Sequence, residues 1–152
     1  MLAAAQRPMT KAGARAAGPR RRQPLAVTAA FTAVGATRVD VTAAGGKKVV
    51  ETLAGRILLA EDGGKLYAVS NKCTHLGLPL VGKTALLQGV IKDGCVTCPA
   101  HKTRFSLADG SVEGEWCPGF PTLPFVGKLV ESKPLPTYAL RVLADGVIEV
   151  DL

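Results

Sequence analysis

Two short runs bring a thiol and an imidazole close together. Cys73-Thr74-His75 and Cys98-Pro99-Ala100-His101 between them hold both histidines of the chain. Thiolate and imidazole are ligands for soft and borderline metals. One of each per run suits a [2Fe–2S] cluster in which Cys thiolates hold one iron and His nitrogens the other. Each run then gives one ligand to each iron, provided the two loops face each other. Residues 76–97 leave enough chain for an excursion that returns the second loop beside the first. The roles expected are Cys73 and Cys98 on the inner iron, and His75 and His101 on the outer iron that takes up the electron.

Other readings of the same residues stay open at this point. Cys95-x-x-Cys98 with His101 and either Cys73 or His75 would make a tetrahedral structural zinc module, although that leaves one of the two runs half used. A thioredoxin-like redox pair at Cys95 and Cys98 has no helical pattern following it. Cys95, in Gly94-Cys95-Val96-Thr97, reads as a small apolar strand residue. Cys117, between Trp116 and Pro118, reads as a free, partly buried thiol, and Trp116 as a packing anchor with a polar handle.

Cys73-Thr74-His75-Leu76-Gly77 and Cys98-Pro99-Ala100-His101, followed by Phe105-Ser106-Leu107-Ala108-Asp109-Gly110, resemble the two cluster-binding segments of Rieske proteins and ferredoxins, over roughly Val49 to Leu152. The resemblance implies one Rieske-type [2Fe–2S] cluster on Cys73, His75, Cys98 and His101. It also carries two departures. High-potential Rieske subunits tie their loops with a disulfide whose cysteines correspond to Leu78 and Ala100 here, so no such bridge is expected. Their cluster also accepts hydrogen bonds from a Ser and a Tyr, at places now held by Thr103 and Phe105, so one hydroxyl is expected to be left for the cluster and the other is absent. Hydrogen bonds to cluster sulfur favour the reduced state, so their loss lowers the potential. A potential toward the lower end of the roughly −150 to +300 mV Rieske range is expected, out of reach of quinol oxidation.

The elements that must hold these loops read as all-β. Short runs rich in Val, Ile, Leu and Tyr alternate with Gly and Asp turns, and no long stretch keeps a helical period. Thr37 to Val41 alternates as an opening strand, and Lys47 to Thr52 follows. Arg56 to Ala60 and Leu66 to Ser70 flank Glu61-Asp62-Gly63-Gly64, a hairpin that delivers the chain to Cys73. Val90 to Ile91 and Cys95 to Cys98 flank Lys92-Asp93-Gly94; Thr103 to Leu107 precedes Ala108-Asp109-Gly110; Tyr138 to Leu143 and Val147 to Leu152 flank Ala144-Asp145-Gly146. The expected architecture is a small antiparallel β-sandwich or barrel with a cluster-binding subdomain formed by the two ligand loops. Gly114 to Pro136 is proline-bearing and shows no alternation; Pro118-Gly119-Phe120-Pro121 resembles the loop that covers the cluster in this family, and residues 125–130 have no assigned element.

Charge divides the chain. Arg7, Lys11, Arg15, Arg20, Arg21 and Arg22 lie in an Ala-rich stretch with no acid, and the first acid is Asp40. The formal charge of +7 therefore resides almost wholly in that stretch. Residues 1–28 read as a cleaved transit peptide, 29–36 as a linker and 37–152 as the Rieske domain. A plastid address is expected, in the stroma rather than the lumen or the mitochondrion, although Arg20-Arg21-Arg22 before residues 25–36 also fits a twin-arginine signal. A basic tail for nucleic acid is disfavoured because the stretch has no aromatic residue for stacking. No run reaches the length of a membrane span, so peripheral thylakoid association is the most membrane contact expected.

No third His remains for a non-haem iron site, and no nucleotide-binding Gly motif follows a strand. Catalytic residues are therefore not expected. The chain reads as a monomeric, soluble one-electron carrier between a reductase and an oxygenase or other acceptor, with Leu76, Leu78, Pro79 and Leu80 either a docking rim or a shield for the cluster alone. A non-shuttling accessory subunit is the alternative. Phe105 to Val112 with Trp116 and Pro118 is similar to chloroplast Rieske-like proteins of photosystem II and thylakoids, and the small Rieske-like subunit of nitrite reductase is a further analogue.

Overall fold

The computed structural model describes residues 30–119 and 130–152. The described residues form three antiparallel sheets. The first has the strand order β1 (Phe31–Thr37), β11 (Val147–Asp151), β10 (Leu140–Val142). The second runs β2 (Lys47–Thr52), β3 (Gly55–Asp62), β4 (Lys65–Ser70), β9 (Thr137–Tyr138). The third runs β5 (Val90–Lys92), β6 (Cys95–Thr97), β7 (Arg104–Ser106), β8 (Val112–Glu113), and carries the second Cys/His run between β6 and β7.

Strand β3 explains why two cores exist. Its run Ile57-Leu58-Leu59-Ala60 is apolar without alternation and fully buried, which requires cover on both faces. Ile57 and Leu59 face one cluster with Val34, Val41, Ile148 and Val150. Leu58 and Ala60 face the other, with Val69, Leu80, Val96, Phe105 and Leu135 as well as Cys73 and Cys98. The two thiols are therefore embedded in the core that joins the second and third sheets. Burial of a side chain such as Phe105 is worth about 3–5 kcal/mol against truncation to Ala, so the floor beneath the loops is stiff.

The two Gly-bearing hairpins form where the turn residues demand. Gly63 and Gly64 have φ of +56° and +76° between β3 and β4, and Asp93 and Gly94 have +53° and +70° between β5 and β6. Both pairs match the left-handed conformation that two-residue hairpin turns need. Polar bonds then fasten the third sheet to the second: Gly94 N donates to Asp62 Oδ2 (2.6 Å), and Lys47 Nζ to the Gly89 carbonyl (3.0 Å).

Two local expectations are corrected at the amino end. Residues 31–36, within the stretch 29–36 read as linker, form β1 together with Thr37 and pair with β11, with a register irregularity between Ala33 and Thr37. Arg38–Ala43, read largely as strand, is a short helix, α1. Thr37 caps it through a capping box: Asp40 N donates to Thr37 Oγ1, and Thr37 N donates to Asp40 Oδ2. The reciprocal cap outweighs a five-residue alternation. Tyr138 to Leu143 is also split, with β9 joining β4 and β10 pairing β11. No helix among the described residues is long and apolar enough to cross a membrane.

Candidate functional site

Both Cys/His runs are closed rings of backbone. In the first loop Cys73 N donates to the Leu78 carbonyl (2.8 Å) and Gly77 N to the Cys73 carbonyl (2.9 Å). In the second, Cys98 N donates to the Thr103 carbonyl (2.8 Å) and Lys102 N to the Cys98 carbonyl (3.1 Å). The residue that turns each ring is left-handed, with φ +72° at Gly77 and +62° at Lys102. Such rings leave the side chains of the Cys and His free to converge on the space between the loops.

The base of the first loop is clipped by Asn71, a buried amide that the sequence reading missed. Its Oδ1 accepts from Val81 N and its Nδ2 donates to the Val81 carbonyl, both at 2.8 Å, while Leu80 N donates to the Asn71 carbonyl. The signal was the Asn itself, directly after an apolar strand, where a side-chain amide can replace a lost ladder partner.

The convergence sorts ligands by type. Nδ1 of His75 and Nδ1 of His101 stand 2.8 Å apart, with ring centroids 4.7 Å apart and planes at 74°. The Cys73 and Cys98 thiols meet each other in a hydrogen bond. Imidazole thus meets imidazole and thiol meets thiol, although each loop supplies one of each. The Cys98 thiol is lowered to about 6 by the hydrogen bond it receives from Cys73, whose own proton is correspondingly held; burial also raises Cys73. Burial keeps both imidazoles below their ordinary range, with the neighbouring His75 adding to the effect at His101, and so favours the neutral, metal-binding form. This donor set fits a [2Fe–2S] cluster with segregated ligation: Cys73 and Cys98 would hold one iron, His75 and His101 the other.

The imidazoles differ in access. His75 is 6% exposed, and the edge of Trp116 stands against it at 5.5 Å between centroids; His101 is half-buried. Trp116 packs in turn on Phe105 and donates Nε1 to the Val130 carbonyl (3.1 Å), as its reading as an anchor implied. Leu76 is 56% exposed and Leu78 partly so, but Leu80, expected in the same rim, is fully buried in the core below. Cys95 is a buried residue of β6, in keeping with its reading as a small apolar residue.

Two further segments close over the loops. Thr74 Oγ1 donates to the Lys133 carbonyl (2.8 Å), fastening the first loop to residues 130–136, and Leu135 N of that strap donates to the Gly110 carbonyl (2.8 Å). Gly119 N donates to the His101 carbonyl (3.0 Å), fastening the second loop to residues 114–119. Phe120 and Pro121 of the proline-bearing loop lie outside the described residues.

Cys117 is buried rather than partly exposed. Its backbone N donates to Thr103 Oγ1 (3.1 Å), and the same hydroxyl donates to Cys117 Sγ (3.4 Å). The Thr103 hydroxyl, expected to be left for the cluster, is thus turned to Cys117. Nothing in the spacing of Trp116-Cys117-Pro118 signals this contact, because it depends on how residues 114–119 pack on the second loop.

Comparison with known proteins gives these arrangements a family context. The family described as the Rieske [2Fe-2S] domain matches residues 32–129. The chain is similar to apoptosis-inducing factor 3 of Mus musculus and of Homo sapiens, 38% identical over 69 residues, which is 45% of this chain and 10% of each of those proteins. It is also similar to the anthranilate 1,2-dioxygenase ferredoxin subunit of Burkholderia cepacia, 28% identical over 90 residues, 59% of this chain and 64% of that protein. The chain thus spans about a tenth of the length of the first two relatives and just under two thirds of the third. Among solved structures, the ferredoxin of carbazole 1,9a-dioxygenase from Nocardioides aromaticivorans IC177 superposes with a TM-score of 0.51 at 22% identity, covering 70% of this chain and 84% of that one. A complex of reduced oxygenase and oxidized ferredoxin in carbazole 1,9a-dioxygenase gives 0.52 at 19% identity, over 70% and 81%. At these identities the likeness is one of fold.

Proposed function

Because the chain belongs to the Rieske [2Fe-2S] domain family, which binds one [2Fe–2S] cluster, we propose that Cys73, Cys98, His75 and His101 hold that cluster and that the protein is a one-electron carrier of the ferredoxin kind. The observation that carries the reading is the sorting of donors, Nδ1 to Nδ1 and thiol to thiol, across two loops that each supply one thiol and one imidazole. The cluster, when bound, supplies a single reversible electron. The chain's own residues do the rest. Cys73 and Cys98 anchor from the core, Trp116 shields His75, and the half-buried His101 presents the shorter path to a docked protein.

The acceptor proposed is an oxygenase, and the donor a reductase. The likeness to the ferredoxin subunit of a dioxygenase supports this, as do exposed Leu76 and Leu78 beside the loops, an apolar rim of the kind redox partners cover. A low potential fits the role. Phe105 offers no hydroxyl to the site, and the Thr103 hydroxyl is engaged by Cys117, so little hydrogen bonding remains to favour the reduced state. A plastid stroma is the proposed compartment, supported by the basic, acid-free stretch of residues 1–28.

Redox titration of the purified chain, followed by low-temperature EPR of the reduced form, tests the reading. A rhombic signal with the low average g of a His-ligated cluster is expected, with a potential at or below roughly −100 mV. A high positive potential would place the protein in a quinol-linked chain instead, and zinc without iron would reduce it to a structural module. Fractionation of source cells into stroma and thylakoids tests the compartment and separates a carrier from a membrane-associated accessory subunit.

A further inference from the structure

Three ligand atoms that the cluster does not group together lie in one place. A ring nitrogen of His75, a ring nitrogen of His101 and Sγ of Cys117 are all within 4.8 Å of one another. We propose that these three side chains form a mononuclear site for a zinc-class divalent cation, one that is usable only while the cluster is absent. The inference rests on His75 and His101 being the imidazoles of the cluster site, since the two metal states then compete for them. Cys117 belongs to the mononuclear state alone, and Cys73 and Cys98 to the cluster alone.

The spacing suits one small ion. Ligands at the usual zinc distances to nitrogen and sulfur stand about 3.3–3.7 Å apart around a tetrahedron. The two Nδ1 atoms, at 2.8 Å, are about 0.5 Å closer than that range, and the other separations, at no more than 4.8 Å, lie within about 1 Å of it, so small rotations of the rings and the thiol bring the three atoms onto one ion. Three protein ligands leave a fourth position for water, as in open zinc sites.

A second observation points to a missing ligand. Nε2 of His75 is buried and has no hydrogen-bond partner among the described residues, while Nδ1 of the same ring shares one proton with His101. The orphaned nitrogen of His75 leaves polar capacity unused in a buried place, which is costly. A cation taken up at that nitrogen removes the cost. Cys117 is positioned for it as well: its φ is +52°, an unfavourable conformation for a residue with a side chain, and it is held there by the bond from Cys117 N to Thr103 Oγ1. The Thr103 hydroxyl donates to Sγ at 3.4 Å, the kind of outer contact that steadies a metal-bound thiolate. Binding releases the thiol proton to solvent, and no electron moves.

The consequence is that the empty chain is a trap for a borderline cation, and that cluster insertion must displace it. The test uses cobalt(II) as probe on the full, cluster-free chain. One cobalt per chain is expected, with the visible bands of a tetrahedral ion and a near-ultraviolet thiolate charge-transfer band. Cys117→Ser should lose the charge-transfer band and bind cobalt at least about tenfold more weakly, whereas the double variant Cys73→Ser/Cys98→Ser should keep both. Thr103→Val, which retains all three ligands, should keep the band with a weaker affinity. The reverse pattern, with the band lost in the Cys73/Cys98 double variant and kept in Cys117→Ser, overturns the proposal, as does a wild-type chain that takes up no cobalt. Reconstitution of Cys117→Ser with iron and sulfide distinguishes this from the reading it rests on. A normal reduced EPR signal in that variant leaves the four-ligand cluster site standing whichever way cobalt behaves; its loss would show that the cluster assignment is the one in error.

Discussion

The two ligand loops share a backbone and differ in almost everything attached to it. Each closes with the Cys amide bonded to a carbonyl five residues on, and each turns at a left-handed residue four places after the Cys. Yet the His falls two residues after Cys73 in one ring and three after Cys98 in the other. The frame therefore delivers two equivalent thiols to the core and two unequal imidazoles, one buried against Trp116 and one half-buried. Twofold likeness at the cysteines serves grip, and its absence at the histidines gives the site a front and a back.

The largest effects should come from the ligands. His75→Ala and His101→Ala are each expected to abolish the His-ligated EPR signal of the reduced protein, because one nitrogen cannot complete the outer iron. If only one of the two loses the signal, the loops are not equal donors and the comparison fails at its first step.

The fastenings separate the loops next. Gly110 has φ +75°, and a Cβ there would fall on the Leu135 carbonyl, so Gly110→Ala must push away the strap that holds Thr74. Gly119 lies against the backbone of His101, where a Cβ would meet three atoms at 3.0–3.1 Å. Gly110→Ala should cost at least about 2 kcal/mol in thermal or denaturant unfolding, the left-handed strain plus the clash. Gly119→Ala should cost less, and protection of amide hydrogens should fall in the first loop for Gly110→Ala and in the second for Gly119→Ala. Equal loosening of both loops by either change would show that they move as one body.

Between these in kind is Thr103→Val, which keeps the shape and removes the hydroxyl. Cys117 N then loses its buried partner, at about 1–3 kcal/mol in denaturant unfolding. No first-loop residue has this role.

How far the sequence shows this asymmetry depends on whether local chemistry decides. The Cys/His runs and the turns at Gly63-Gly64 and Asp93-Gly94 are legible because a few adjacent residues fix each conformation. The run Ile57 to Ala60 is legible as strand because only burial on both sides explains four consecutive apolar residues. β1 is not legible: Thr32, Ala33, Gly35 and Ala36 resemble a linker, and their strand exists because β11, from the far end of the chain, pairs with it. The start of α1 was written in Thr37 and Asp40, but as a cap rather than a period, so an alternation reading passes over it. Leu80 looks like its exposed neighbours Leu76 and Leu78 until the Asn71 clip turns it inward. Cys117 is the hardest case, since its place beside the imidazoles follows from the packing of a loop with no pattern of its own.

The smallest prediction bears most directly on the shared frame. Gly77 and Lys102 occupy the same left-handed position, so a side chain is tolerated in the second ring and absent from the first. At Gly77 a Cβ would meet Lys72 Cε at 3.0 Å, the far end of a flexible chain that can move aside. Gly77→Ala should therefore cost only the conformational strain, about 1–2 kcal/mol in denaturant unfolding. Lys102→Gly removes comparable strain, but it also loosens the unfolded chain and deletes the bond from Lys102 Nζ to the Pro99 carbonyl, an exposed contact at 3.1 Å. These effects oppose, and the net change should lie within about 0.5 kcal/mol of zero. If Gly77→Ala is instead neutral while Lys102→Gly is clearly stabilising, the rings are not the same backbone carrying different side chains. The strain would then belong to the second loop alone, on the side where Cys117 also sits in a left-handed conformation.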